Sequence, residues 1–192
     1  MKTQSKIALI TGSNKGIGYE IARQLGQLGF KIFVSGRNIE RVNKAVDTLT
    51  QDGILVSPLV MDVSDVNSIM SAFVSIKDTI KNIDILINNA GILIDENKPL
   101  LNFLPSEIQQ TFSINALGPF FVSQIFLPLI QRGGRIINIS SGAGSICGGI
   151  SNYAPVYSAS KTAENALMLH LARAFEVKRY CSEPCMPGMG TN

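Results

Sequence analysis

The chain is poor in the side chains that hold metals and form disulfides: its 192 residues include one histidine, His170, and three cysteines, Cys147, Cys181 and Cys185. An odd cysteine count does not read as a disulfide framework, and a lone histidine offers no zinc site, so no metal is expected. A surplus of charge of one sign is also lacking. The net charge is only +3, with acids and bases interspersed, and nothing forms the basic stripe of a nucleic-acid binder or a juxtamembrane cluster. Nucleic-acid and membrane partners are therefore not expected. No apolar run approaches the ~20 residues of a membrane span, and Met1-Lys2-Thr3-Gln4-Ser5 leads into an apolar strand without the pattern of a signal peptide. The expected location is cytoplasmic. Neither a repeat nor a linker-like stretch divides the chain, and 45% hydrophobic content suffices for one core, so residues 1–192 read as a single domain.

What the sequence does have is an ordered opening. Ile7-Ala8-Leu9-Ile10 is too short for a helix and is bounded by Thr11-Gly12, which suggests a strand covered on both faces. Thr11-Gly12-Ser13-Asn14-Lys15-Gly16-Ile17-Gly18 follows, and then an amphipathic run from Ile17 to Leu28. Strand, glycine turn and helix in this order make a nucleotide site. The glycines let the backbone turn sharply and approach a pyrophosphate, while the helix N-terminus presents free N–H groups to the anion.

A second strand, Lys31 to Ser35, ends at Gly36-Arg37. An acid at this end would accept hydrogen bonds from a ribose 2′-hydroxyl, whereas a 2′-phosphate needs positive charge. No acid occupies Ser35, Gly36, Arg37 or Asn38, while Arg37 and Lys15 are both basic, so NADP(H) is the expected cofactor. A helix is expected from Ile39 to Leu49. The third strand is expected at Leu59-Val60-Met61, because Pro58 argues for an irregular start, and a helix to about Ile80 follows Asp62-Val63. Ile83 to Ile87 reads as the fourth strand, ending in Asn88-Asn89-Ala90-Gly91, and a loop runs to about Leu104. Pro105-Ser106-Glu107 starts a long helix that reaches Ile130, with a kink expected at Gly118-Pro119. Arg135 to Ile139 is the fifth strand and delivers Ser140-Ser141 at its carboxyl end, the edge where parallel sheets bind ligands. Tyr157-Ser158-Ala159-Ser160-Lys161 then places a tyrosine and a lysine one helical turn apart.

The glycine spacing, Asn-Asn-Ala-Gly, the serine-tipped strand and Tyr-x-x-x-Lys together resemble the classical short-chain dehydrogenases/reductases, and Asn14-Lys15-Gly16-Ile17-Gly18 looks most like their carbonyl-reductase-like members. The resemblance covers Lys6 to about Ala174. It implies an α/β fold of the Rossmann type, a doubly wound parallel sheet with helices on both faces. It also implies an oxidoreductase that moves a hydride between a nicotinamide and a small carbonyl or alcohol substrate. Cofactor contacts carry over to Gly12, Ser13, Asn14, Lys15, Gly16, Ile17, Gly18, Arg37, Asp62, Val63, Asn89, Ala90, Gly91, Tyr157 and Lys161. Asp62 would meet the adenine amine. The implied catalytic set is Asn115, whose backbone carbonyl would hold a relay water, with Ser141, Tyr157 and Lys161. A phenol ionises near ~10 in water, so a nearby ammonium such as that of Lys161 would favour the phenolate. Homodimers or homotetramers are frequent in such proteins.

Beyond Arg173 the resemblance weakens. Glu176 to Met186 has little strand character, Pro187-Gly188 is the remaining match to a cofactor-loop Pro-Gly, with Thr191 near the carboxamide position, and the last strands and a substrate lid are expected to be missing. That leaves residues 176–192 as a degenerate tail. The alternative is a truncated, inactive relative serving as a cofactor-binding or interaction protein.

Overall fold

The computed structural model describes residues 5–94, 98–146 and 154–181, the last six of these as backbone alone. Cys147, Gly148, Gly149, Cys185, Pro187, Gly188 and Thr191, and with them the expected cofactor-loop Pro-Gly, lie outside the described residues.

Strands β1 (Ile7–Ile10), β2 (Lys31–Gly36), β3 (Val56–Val60), β4 (Ile83–Asn88) and β5 (Ile130–Asn138) form one parallel sheet in the order β3-β2-β1-β4-β5. The order reverses direction on either side of β1. That is the crevice-forming arrangement of a doubly wound sheet. Helices α1 (Gly16–Gln27), α2 (Ile39–Gln51), α3 (Val66–Lys77), α4 (Pro105–Phe112), α5 (Gly118–Phe126) and α6 (Pro155–Cys181) connect and cover the strands.

The all-apolar β1 is explained by its two faces. Ile7 and Leu9 join Phe33, Leu59, Ile69, Leu86, Val122 and Phe126 in the core beneath α3 and α5. Ala8 and Ile10 join Ala22, Val34, Val42, Ala45, Leu49 and Ile87 beneath α1 and α2. Period-two side chains of one strand thus feed both cores. Phe73 and Phe126 meet edge to face at 5.6 Å inside the first core.

Three sequence expectations are corrected. Pro58 lies within β3, paired with Val34, and does not delay the strand. β3 is the sheet's edge, where a missing N–H leaves no ladder bond unmade. β5 begins at Ile130, where a helix end was expected, and its pairing with β4 jumps from Ile83–Ile130 to Ile85–Arg135. The intervening residues bulge out, with Gly133 at φ 85°. The long helix is broken by a π turn at Ser113–Leu117, just ahead of the expected Gly118-Pro119 kink. There the Gly118 N–H reaches back five residues to the Ser113 carbonyl. Pro119 has no N–H to offer the Asn115 carbonyl four residues earlier, so regular α pairing fails at this point.

The loop before α4 contains a 3₁₀ turn at Leu100–Asn102, and α6 carries helical backbone through Cys181. Contrary to the expectation from the sequence, the helical run Pro105–Leu129 is by length and composition apolar enough to cross a membrane. Half of its most apolar stretch is buried inside the fold, where Val122 and Phe126 form core contacts.

Candidate active site

The turn after β1 is fixed before any ligand is considered. Ser13, wholly buried, donates its hydroxyl to the Ile10 carbonyl at 2.8 Å and accepts the Ser35 N–H at 2.9 Å, so it ties β1 to β2. Gly12 has φ 64°, and a Cβ there would stand 2.9 Å from Ala90 Cα. Only glycine fits both demands. Gly16, at φ 60°, opens α1, and a side chain at Gly18 would run into Asn89.

The Asn88-Asn89 pair joins the strands around this turn. Asn88 Nδ2 donates to Ser123 Oγ and to Asn138 Oδ1, both at 2.8 Å, linking β4 to α5 and β5. Asn89 Nδ2 donates to the Thr11 carbonyl at 2.9 Å and the Gly12 carbonyl at 3.2 Å.

A cleft of about 530 Å³ follows the carboxyl ends of β1 to β4. Of the residues expected to hold the cofactor, Gly12, Asn14, Lys15, Gly16, Ile17, Arg37, Asp62, Val63, Asn89, Ala90 and Gly91 line it. Ser13 and Gly18 do not, because they build the turn from behind. Gly36, Asn38, Arg41, Met61, Ile92 and Ile114 also line the cleft and were not singled out in the sequence. Arg41 could have been found: it follows Arg37 by one turn at the start of α2, whose cap is Asn38, with Oδ1 accepting the Arg41 N–H at 2.9 Å. Lys15, Arg37 and Arg41 form none of the ion pairs among the described residues. Asp62 Oδ1 accepts from the Ser64 N–H at 2.9 Å and its hydroxyl at 2.6 Å, and Asp65 caps α3, accepting the Asn67 N–H at 2.9 Å.

Asn115, Ser141, Tyr157 and Lys161 are not among the residues that line the cleft, but Asn115 and Lys161 border Gly91, which does. Asn115, fully buried, accepts the Ile92 N–H at 2.8 Å and donates to the Ile92 carbonyl at 2.8 Å and to Ser160 Oγ at 3.1 Å. Ser160 in turn donates to the Tyr157 carbonyl at 2.7 Å. One buried side chain therefore fixes both the loop after β4 and the first turns of α6. Ser141 Oγ accepts the Ala143 N–H at 3.2 Å, a bond that uses a lone pair and leaves its proton to donate. Ser140 instead donates to Asn165 Oδ1 at 2.8 Å, which supports choosing Ser141 of the pair. Gly144 holds β5's tip against α6 so closely that a Cβ would stand 2.9 Å from Lys161 Cβ.

Lys161 is 4% exposed, and its ammonium donates to the Ile139 carbonyl at 2.8 Å. A Cβ on Gly91 would come to 4.0 Å from Lys161 Nζ, so the ammonium borders the inner wall of the cleft. A second partner was missed in the sequence: Glu164 Oε2, at 2.7 Å from Nζ. Burial pushes the Glu164 carboxyl above the ordinary carboxylate range, and the Lys161 ammonium opposes that shift.

Such a parallel sheet, with a glycine turn at its switch point and a Tyr-x-x-x-Lys helix packed beside it, is a Rossmann-type dinucleotide-binding fold. The profile of the short chain dehydrogenase family matches residues 6–189, and the chain belongs to that family. It is 36% identical over 136 residues to gluconate 5-dehydrogenase of Gluconobacter oxydans, covering 70% of this chain and 52% of that one. It is 32% identical over 145 residues to carbonyl reductase [NADPH] 1 of Sus scrofa, covering 75% and 50%. The chain thus spans about half the length of these relatives. A metagenomic short-chain oxidoreductase solved in complex with NADP superposes with a TM-score of 0.79 at 28% identity, covering 89% of this chain and 76% of that chain.

Proposed function

We propose that this chain, as one dinucleotide-binding domain, is an NADP(H)-dependent oxidoreductase acting on a carbonyl or secondary alcohol. The observation that carries the reading is the position of the Lys161 ammonium at the inner end of the glycine-turn cleft, one helical turn from Tyr157. The residues present fit the cofactor: the cleft is lined by the glycine turn that opens α1, by Lys15, Arg37 and Arg41, which have no acidic partner among the described residues, and by apolar Ile92 and Ile114. Gly12 to Gly18 would hold the pyrophosphate, Arg37 with Lys15 the 2′-phosphate, Asp62 and Val63 the adenine, and Asn89 to Gly91 the ribose side.

When bound, the nicotinamide supplies or takes up the hydride at the substrate carbon. In reduction Tyr157 gives its hydroxyl proton to the carbonyl oxygen, and in oxidation its phenolate takes the alcohol proton. Lys161 stabilises the phenolate electrostatically and would bond the cofactor's ribose. Ser141 donates a hydrogen bond to the substrate oxygen, where negative charge develops. Asn115 contributes its backbone carbonyl as an anchor for a relay water. Support for NADP(H) comes from the basic end of the cleft and from the NADP-bound neighbour. Family resemblance supports a homodimer or homotetramer.

Tyr157→Phe tests the assignment. Turnover of a carbonyl substrate should fall by at least roughly a hundredfold, the lower end of acid–base contributions, with NADPH affinity nearly unchanged. Residual turnover close to native would remove Tyr157 from its role.

A further inference from the structure

Glu164 follows Lys161 by three residues and Tyr157 by seven, so all three fall on one face of α6. It is 1% exposed, its Oε2 lies 2.7 Å from Lys161 Nζ, and its Oε1 has no partner among the described residues. A buried ion pair with an unsatisfied oxygen is a poor way to stabilise a helix interface, since a well-packed apolar residue commonly does as well or better. What the carboxylate does accomplish is local. With the Ile139 carbonyl at 2.8 Å it takes two of the three ammonium protons of Lys161, leaving one to point elsewhere.

We infer that Glu164 is a positioning residue for the oxidoreductase site: it holds the Lys161 ammonium beside Gly91 and offsets the positive charge that reaches Tyr157. This rests on the function proposed above. The neighbouring elements bring few competing charges. The π turn, α5 and the turn at Gly142–Gly144 carry none, and α4 carries Glu107, which is bonded to Lys98 at 2.7 Å. Arg132 and Arg135 of β5 are exposed, and His170 and Arg173 lie further along α6. Removing the carboxylate charge leaves the Lys161 ammonium unopposed at the inner wall of the cleft.

The experiment compares native protein with Glu164→Gln, which keeps an acceptor without charge, and Glu164→Leu, which keeps neither. Three quantities are read: NADPH affinity by fluorescence, the pH dependence of kcat/KM for alcohol oxidation, and the rate of reductive methylation of Lys161 in cofactor-free protein by mass spectrometry. Glu164→Gln should bind NADPH like native protein, while its rate profile moves to lower pH. Glu164→Leu should expose Lys161 to methylation several times faster. If Glu164→Leu does not fold, Glu164→Gln alone decides. Superimposable rate profiles for native and Glu164→Gln, with native cofactor binding intact, would overturn the role of Glu164 and leave the oxidoreductase reading standing. A native chain that takes no NADPH would overturn both.

Discussion

Asn89 and Thr11 bind each other reciprocally across the two strands that flank the cleft. Asn89 Nδ2 donates to the Thr11 carbonyl at 2.9 Å, and Thr11 Oγ1 accepts the N–H groups of Asn89 and Ala90 at 3.0 Å each. Thr11→Val keeps the shape but leaves those two N–H groups without an acceptor. The expected loss is about 1–3 kcal/mol in urea unfolding, the cost of unsatisfied buried donors. An unchanged midpoint would mean that solvent replaces the hydroxyl.

Asn115 shows the same economy deeper in the fold. Asn115→Ala removes three hydrogen bonds and strands both polar groups of Ile92. Stability should fall by about 1–3 kcal/mol, and hydrogen exchange of the Ile92 amide should accelerate. Protection at Ile92 equal to native would show that the loop is held by other contacts.

Much of this was legible in the sequence, for identifiable reasons. The run Ile7 to Ile10 announces burial on two faces, and the glycine spacing places the turn, because both are local features of the chain. The role of Pro58 was not legible, since it depends on β3 being an edge, which the order of strands decides. The kink expected at Gly118-Pro119 falls a few residues earlier, as a π turn at Ser113–Leu117, because the proline at 119 disturbs the carbonyl a turn earlier and not its own position. Glu164 went unread: a glutamate in a helix is usually solvated, and only packing shows that this one is sealed in with Lys161.

Glu164 also gives stability a pH dependence of known sign. Burial raises its carboxyl above the ordinary 4.5, so between that value and the raised one the folded state holds more protons than the unfolded state. Its contribution to stability is therefore greatest below pH 4.5 and declines as pH rises through that window. The stability of native protein relative to Glu164→Gln should fall as pH is raised from 4.5 toward neutrality, measured by urea unfolding at a series of pH values. A difference that is flat or rises with pH would contradict the assignment.

Arg41 was not singled out in the sequence but lines the same end of the cleft as Arg37. If both bind a 2′-phosphate, Arg41→Ala should weaken NADPH while leaving NADH unchanged, by about 1.5–3 kcal/mol if it makes one charge-assisted bond. Equal weakening of both cofactors would assign Arg41 to a general electrostatic or structural role.

The account depends most on the cleft being an NADP(H) site, and a fluorescence titration of native chain and Arg37→Ala with NADPH and NADH tests this directly. Native protein should prefer NADPH, and Arg37→Ala should lose roughly ten- to hundredfold in NADPH affinity with little change for NADH. Equal native affinities for the two cofactors, or an Arg37→Ala variant that binds NADPH as native protein does, would contradict it.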